Sequence, residues 1–272
     1  MDTVPSTATH PPTPTTTRAD GGAIPTSWHT DHHDHPDKDW TRGYARASGI
    51  FYLLTFVSSI AAVVYFLKPV LDDPSYVVGP GQDTRVIIGC LLDVVNALTA
   101  IGSAVAVYPV VKRQNQAMAL GFVTSRVYEA AVVMIGVVSL LGVVAMRRDL
   151  GGVAGPEATA LLTTGQGLVA MRDYTFLLGP NLAPVINAVL FATLLYRSRL
   201  VPRIIPLMGL AAAPLLLAPT IATVLGVIEH GSIWWAPGGV LVFVWELSVG
   251  VYMTFKGYKP SPLTARRPSW LA

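Results

Sequence analysis

Residues 123–146 read VTSRVYEAAVVMIGVVSLLGVVAM. An α-helix rises 1.5 Å per residue, so this stretch reaches about 36 Å, enough to cross about 30 Å of hydrocarbon. Inside lipid the backbone must satisfy its own polar groups, and a single segment does so only as a helix. The stretch is therefore read as a transmembrane helix. It also carries Arg126 and Glu129, three residues apart and so on one helical face. A charge at a helix centre costs about 2.5–3.5 kcal/mol on insertion. Both side chains are expected to face inward and to find partners.

The rest of the chain agrees with this reading. Of its 272 residues, 52% are hydrophobic and 13% charged, about half the charge content of an average soluble domain. The mean hydropathy is +0.51. The apolar residues fall into six blocks, at about 47–67, 86–109, 117–146, 174–196, 204–228 and 234–255, each long enough to span. The expected fold is an all-α membrane protein, a bundle of six transmembrane helices over residues 42–258. Residues 1–41, rich in Thr, Pro and His, are expected to be a disordered tail, since they have too little apolar surface to fold. They contain no apolar core of a secretory signal, so none is expected. Residues 259–272 form a short basic tail.

The connections differ in character. Residues 68–85 (KPVLDDPSYVVGPGQDTR) are a Pro/Gly/Asp loop, 112–116 (KRQNQ) a polar turn, and 197–203 (RSRLVPR) a tight basic turn. Residues 147–173 open as a loop, and their second half, ALLTTGQGLVAMRD at 160–173, is expected to be a short interfacial helix. Thirteen Lys and Arg lie on the side of the termini and five on the other. Positive charge collects on the cytoplasmic side, so both termini are expected in the cytoplasm, N-in and C-in.

The net charge of +3 belongs to those cytoplasmic loops. No basic patch is interleaved with aromatics, so nucleic acid is not an expected partner. The expected partner is the lipid bilayer, with a small molecule or ion as a further candidate; nothing in the chain sets the oligomeric state. The one cysteine, Cys90, excludes an intramolecular disulfide.

Four stretches resemble the DUF4386 family of prokaryotic integral membrane proteins: ARASGIFYLLTFVSSI at 45–60, SRVYEAAVV at 125–133, LLYRSRLVPRIIPLMGLAAAPL at 194–215 and WELSVGVYMTFKGY at 245–258. The resemblance covers about 42–260, and its pieces occur in the family's order. It implies a multi-pass protein of a prokaryotic plasma membrane and no particular reaction.

Candidate chemistry comes from the ionisable residues within spans: Asp93, Arg126, Glu129 and Glu246. Counting from the helix ends places Arg126 and Glu246 near the midplane, Glu129 one turn further out, and Asp93 a little beyond. Asn96 shares the Asp93 face. One cation and three acids converging in one interior would leave a formal charge of −2, a candidate ligand, ion or proton site. The competing reading is polar glue that sets helix registry. Gly179, Pro180, Pro184, Pro206, Pro214 and Pro219 are expected to break the fourth and fifth helices, with Asn181 and Asn187 as candidate lining of a cavity beside the break.

His29, His32, His33 and His35 lie in WHTDHHDHPDKDW at 28–40. Imidazoles suit Zn, Ni or Cu, but one isolated cluster in a tail does not define a centre, and no metal or cofactor is assigned. No HExxH, GxSxG or P-loop motif occurs. No His lies within a span, so paired-His haem ligation is excluded. An enzyme ranks behind a pathway or sensor and behind a structural or partner-binding module.

Overall fold

The computed structural model describes residues 40–229 and 231–265. The His-rich stretch at 28–35 and residues 1–39 of the proposed disordered tail lie outside the described residues; its last two, Trp40 and Thr41, instead open the first helix.

Among the described residues all regular structure is helical, and six helical runs are long and apolar enough to cross a membrane. The first is α1 (Trp40–Ala61), prolonged by a π-helical turn over Ala62–Phe66. A one-turn α2 (Lys68–Leu71) leads to α3 (Asp83–Val111). The third span is α4 (Gln116–Leu150), whose N-cap Asn115 accepts a hydrogen bond from the Met118 amide at 2.9 Å. The fourth run joins α5 (Pro156–Phe176), a π turn (Leu177–Asn181), α6 (Ala183–Asn187), a second π turn (Ala188–Ala192) and α7 (Thr193–Ser198). The fifth span is α8 (Ile204–Val224), and a short 3₁₀ turn leads into the sixth, α9 (Ala236–Phe255).

The spans pack in chain order and close on themselves. α1 lies against α3, α3 against α4, α4 against the fourth run, the fourth run against α8, α8 against α9, and α9 against α1. Small residues permit the close approaches that membrane bundles use in place of a hydrophobic driving force. At the α1/α9 crossing, a Cβ on Gly49 would sit 2.5 Å from the Thr254 amide nitrogen. At the α8/α9 crossing, a Cβ on Gly209 would sit 2.5 Å from the fully buried Trp245 ring. The outer faces carry exposed Val57, Leu98 and Val138, as lipid contact requires.

Two expectations are corrected. Residues 160–173 are not a separate interfacial helix: α5 runs from Pro156 into the fourth span as one helical run of 43 residues. Along its polar start the Thr163 and Thr164 hydroxyls are satisfied within the helix, donating to the carbonyls of Thr159 and Ala160 at 3.0 and 2.9 Å. The proline-rich helices also respond differently. The fourth run absorbs Pro180 by widening into a π turn, a common device where a ring or an inserted group disturbs the helical ladder. α8 keeps Pro214 and Pro219 within one continuous α-helix.

The two ends of the bundle are both tied. At the end holding Trp40 and Phe255, here the proximal end, the Trp40 indole donates to the Thr264 carbonyl at 3.0 Å and the Lys259 amide to the Leu200 carbonyl at 2.8 Å. At the distal end Arg147 and Arg148 both grip Asp83, and Arg147 also donates to the carbonyls of Gly79 and Pro80. Tyr76 donates to the same Asp83 at 2.9 Å, and burial, reinforced by this bond, pushes its phenol well above the usual range.

Candidate functional site

Arg126 sits 10 residues into the 35-residue α4, in its first third, and is 1% exposed. Its guanidinium reaches three spans. Nη1 donates to Glu129 Oε2 at 3.0 Å, one turn along the same helix. Nη2 donates to Glu246 Oε1 on α9 at 2.9 Å and to the Tyr52 hydroxyl on α1 at 3.0 Å. The rings of Tyr52 and Phe122 lie 5.0 and 5.8 Å from the guanidinium carbon, within cation–π range. Phe122 stacks on Phe191 at 4.4 Å between centroids, which braces this aromatic floor.

Glu129 has a second donor. Asn187, fully buried on α6, gives its amide to Glu129 Oε2 at 3.0 Å and accepts from the Ser125 hydroxyl. Asn187 thus stands behind Glu129 as a fastening and does not line the cavity, against expectation. The centre holds one cation and two acids, a formal charge of −1.

A cavity of about 290 Å³ opens onto this centre. Every span contributes to its wall: Thr55 from α1, Asn96 from α3, Glu129 from α4, Asn181 from the first π turn of the fourth run, Leu216 from α8 and Glu246 from α9. It extends from the middle of the bundle past Ile60 and Gly239 toward the distal end. Phe56 and Phe243, 4.5 Å apart between centroids, form an apolar side. Asn181, in the π turn beside the helix break, lines the cavity wall.

Asp93 does not join Arg126. It is 2% exposed and accepts from Arg172 Nη2 at 3.0 Å, and Arg172 itself is 4% exposed. Neither residue lines the cavity. Phe176 lies beneath the Arg172 guanidinium at 5.1 Å. Gly136 on α4 makes the room: a Cβ there would come within 2.6 Å of Thr175 Oγ1 and 2.7 Å of Arg172 Cδ. The interior therefore holds two ionic centres, one with a charge left over beside a cavity and one balanced away from it. Arg172 falls in the stretch 160–173 expected to be a short interfacial helix outside the spans, and the structure instead carries it in the fourth helical run. The signal for its true place is that residues 168–178 contain no Gly or Pro, so the helix has no reason to stop there. Tyr52 gives no comparable signal, since a Tyr within an apolar run reads as ordinary core.

No group of three or more His, Cys, Asp or Glu placed to hold a metal occurs among the described residues.

Six closed-packed spans around a charged interior define a polytopic helical membrane protein. The chain belongs to the family described as the domain of unknown function DUF4386, whose model matches residues 47–257. That match reaches all six spans, leaving out only the start of the first, and includes both ionic centres. No curated protein and no solved structure matches the chain.

Proposed function

We propose that this protein admits a small molecule or ion to the Arg126–Glu129–Glu246 centre, as a pathway or a sensor. One observation supports the reading above all: the cavity bordered by all six spans reaches these charged groups. A centre serving only as glue would profit from being sealed, because open space beside a charge forfeits packing contacts. The leftover negative charge adds to the argument, since a purely structural cluster gains nothing from it. The Asp93–Arg172 pair, balanced and away from the cavity, fits the role of fastening α3 to α5.

The excess of Lys and Arg on the proximal side supports cytoplasmic termini in a prokaryotic plasma membrane. The cavity then faces the exterior. Labelling tests both claims. Cys90 is replaced by Ser, and Ser59→Cys and Asn181→Cys are treated with a membrane-impermeant maleimide in intact cells and in opened membranes. Labelling of both positions in intact cells is expected. Labelling only in opened membranes reverses the orientation, and no labelling in either removes the accessible cavity.

A further inference from the structure

We propose that the cavity takes a small organic ammonium ion, a protonated amine with a compact apolar body. This rests on the reading of the Arg126 centre as accessible. Charge is the first argument. Arg126 with Glu129 and Glu246 sums formally to −1, so a monovalent cation neutralises the centre and an anion doubles its imbalance.

The second argument is the supply of acceptors. Arg126 and Asn187 both donate to Oε2 of Glu129, which leaves Oε1 without a donor among the described residues. Arg126 takes Oε1 of Glu246 and leaves Oε2 in the same condition. Neither open oxygen is sealed within protein, and both side chains border the cavity. Asn96 is independent of this acidic pair. It is 8% exposed, it lines the same cavity, and its side-chain amide makes no hydrogen bond among the described residues. Three acceptor oxygens on three spans equal in number the three donors of a primary ammonium.

The wall selects the body of the ligand. Phe56 and Phe243 supply aromatic faces, which attract cations and apolar groups alike. A hard metal cation would seek about six oxygen ligands, and an aromatic side offers it none. The volume of about 290 Å³ stands at the lower edge of the roughly 300–1,000 Å³ of drug-sized sites, so the ligand is small.

The test is calorimetric titration of the full chain in lipid nanodiscs with phenethylammonium chloride, corrected against empty nanodiscs. Its neutral isostere phenethyl alcohol, the anion phenylacetate and sodium chloride serve as comparison ligands. Saturable binding of the amine is expected, at least tenfold tighter than the alcohol, with no binding of phenylacetate. Glu246→Gln should weaken the amine at least tenfold and Asn96→Ala several-fold. Should Glu246→Gln fail to fold, Asn96→Ala and Phe243→Leu carry the test, since neither touches the Arg126 hydrogen bonds. Equal binding of the alcohol, preference for phenylacetate, a response to sodium alone, or unchanged binding in the variants that fold overturns the proposal. These failures leave cavity access standing so long as Ser59→Cys labels; absent labelling removes the access itself.

Discussion

The Arg126 centre and the Asp93–Arg172 pair place the same chemistry in the same bundle under different conditions. Each is a guanidinium bonded to carboxylate inside the bundle, each is almost fully buried, and each joins helices distant in sequence. One borders a cavity and carries more acid than base; the other borders none of that cavity and is balanced. Burial and pairing alone therefore do not separate a binding centre from a fastening. What separates them is whether open space and unused acceptors lie beside the ions.

The sharpest way to break the comparison is to remove one partner from the fastening. Arg172→Met leaves Asp93 buried without its cation, and breaking a buried pair costs about 3–5 kcal/mol. Thermal unfolding in nanodiscs should show that loss, and Asp93→Leu combined with Arg172→Met should recover most of it. The Arg126 centre should respond otherwise. Arg126→Met combined with Glu129→Gln and Glu246→Gln should retain a folded protein yet lose amine binding. If the paired change at Asp93 and Arg172 also abolishes binding, the two centres are not separate.

A smaller effect sharpens the same contrast from the packing side. Gly136→Ala drives a methyl into Arg172 and Thr175, and overpacking of this kind costs about 1–3 kcal/mol. The unfolding temperature should fall while labelling at Ser59→Cys stays unchanged. Tyr52→Phe removes one of three acceptors from Arg126 and should cost about 1 kcal/mol, with amine affinity altered less than by Glu246→Gln. The smallest change is Asn115→Ala, which removes the α4 cap far from both centres. It should cost about 1 kcal/mol or less and leave binding, labelling and the response of each centre to substitution unaltered.

Much of this architecture was readable before any tertiary structure. The six spans follow from apolar length and from the backbone's need for internal hydrogen bonds in lipid. The stretch 123–146 shows that its charges must face inward, and the nearness of Arg126 to Glu129 is helical geometry. Their meeting with Glu246 could be anticipated only as a matter of depth, since two helices at equal depth still differ in which way they face. Asp93 illustrates the limit. Its depth matched the cluster, but its partner Arg172 lay in the stretch 160–173 read as a short interfacial helix outside the spans, whereas α5 continues through it into the fourth span.

By itself, then, the sequence determined a helical membrane bundle, its number of spans, and which side chains had to be hidden from lipid. Those properties are local: they depend on apolar length, helical period and the cost of a bare charge. Only the tertiary structure decided that Arg172 takes Asp93, that Asn187 braces Glu129 from behind, and that a cavity opens at Glu246. Those depend on the rotation of each helix about its axis and on the π turn at Leu177–Asn181, and they arise only when six helices pack against one another at once.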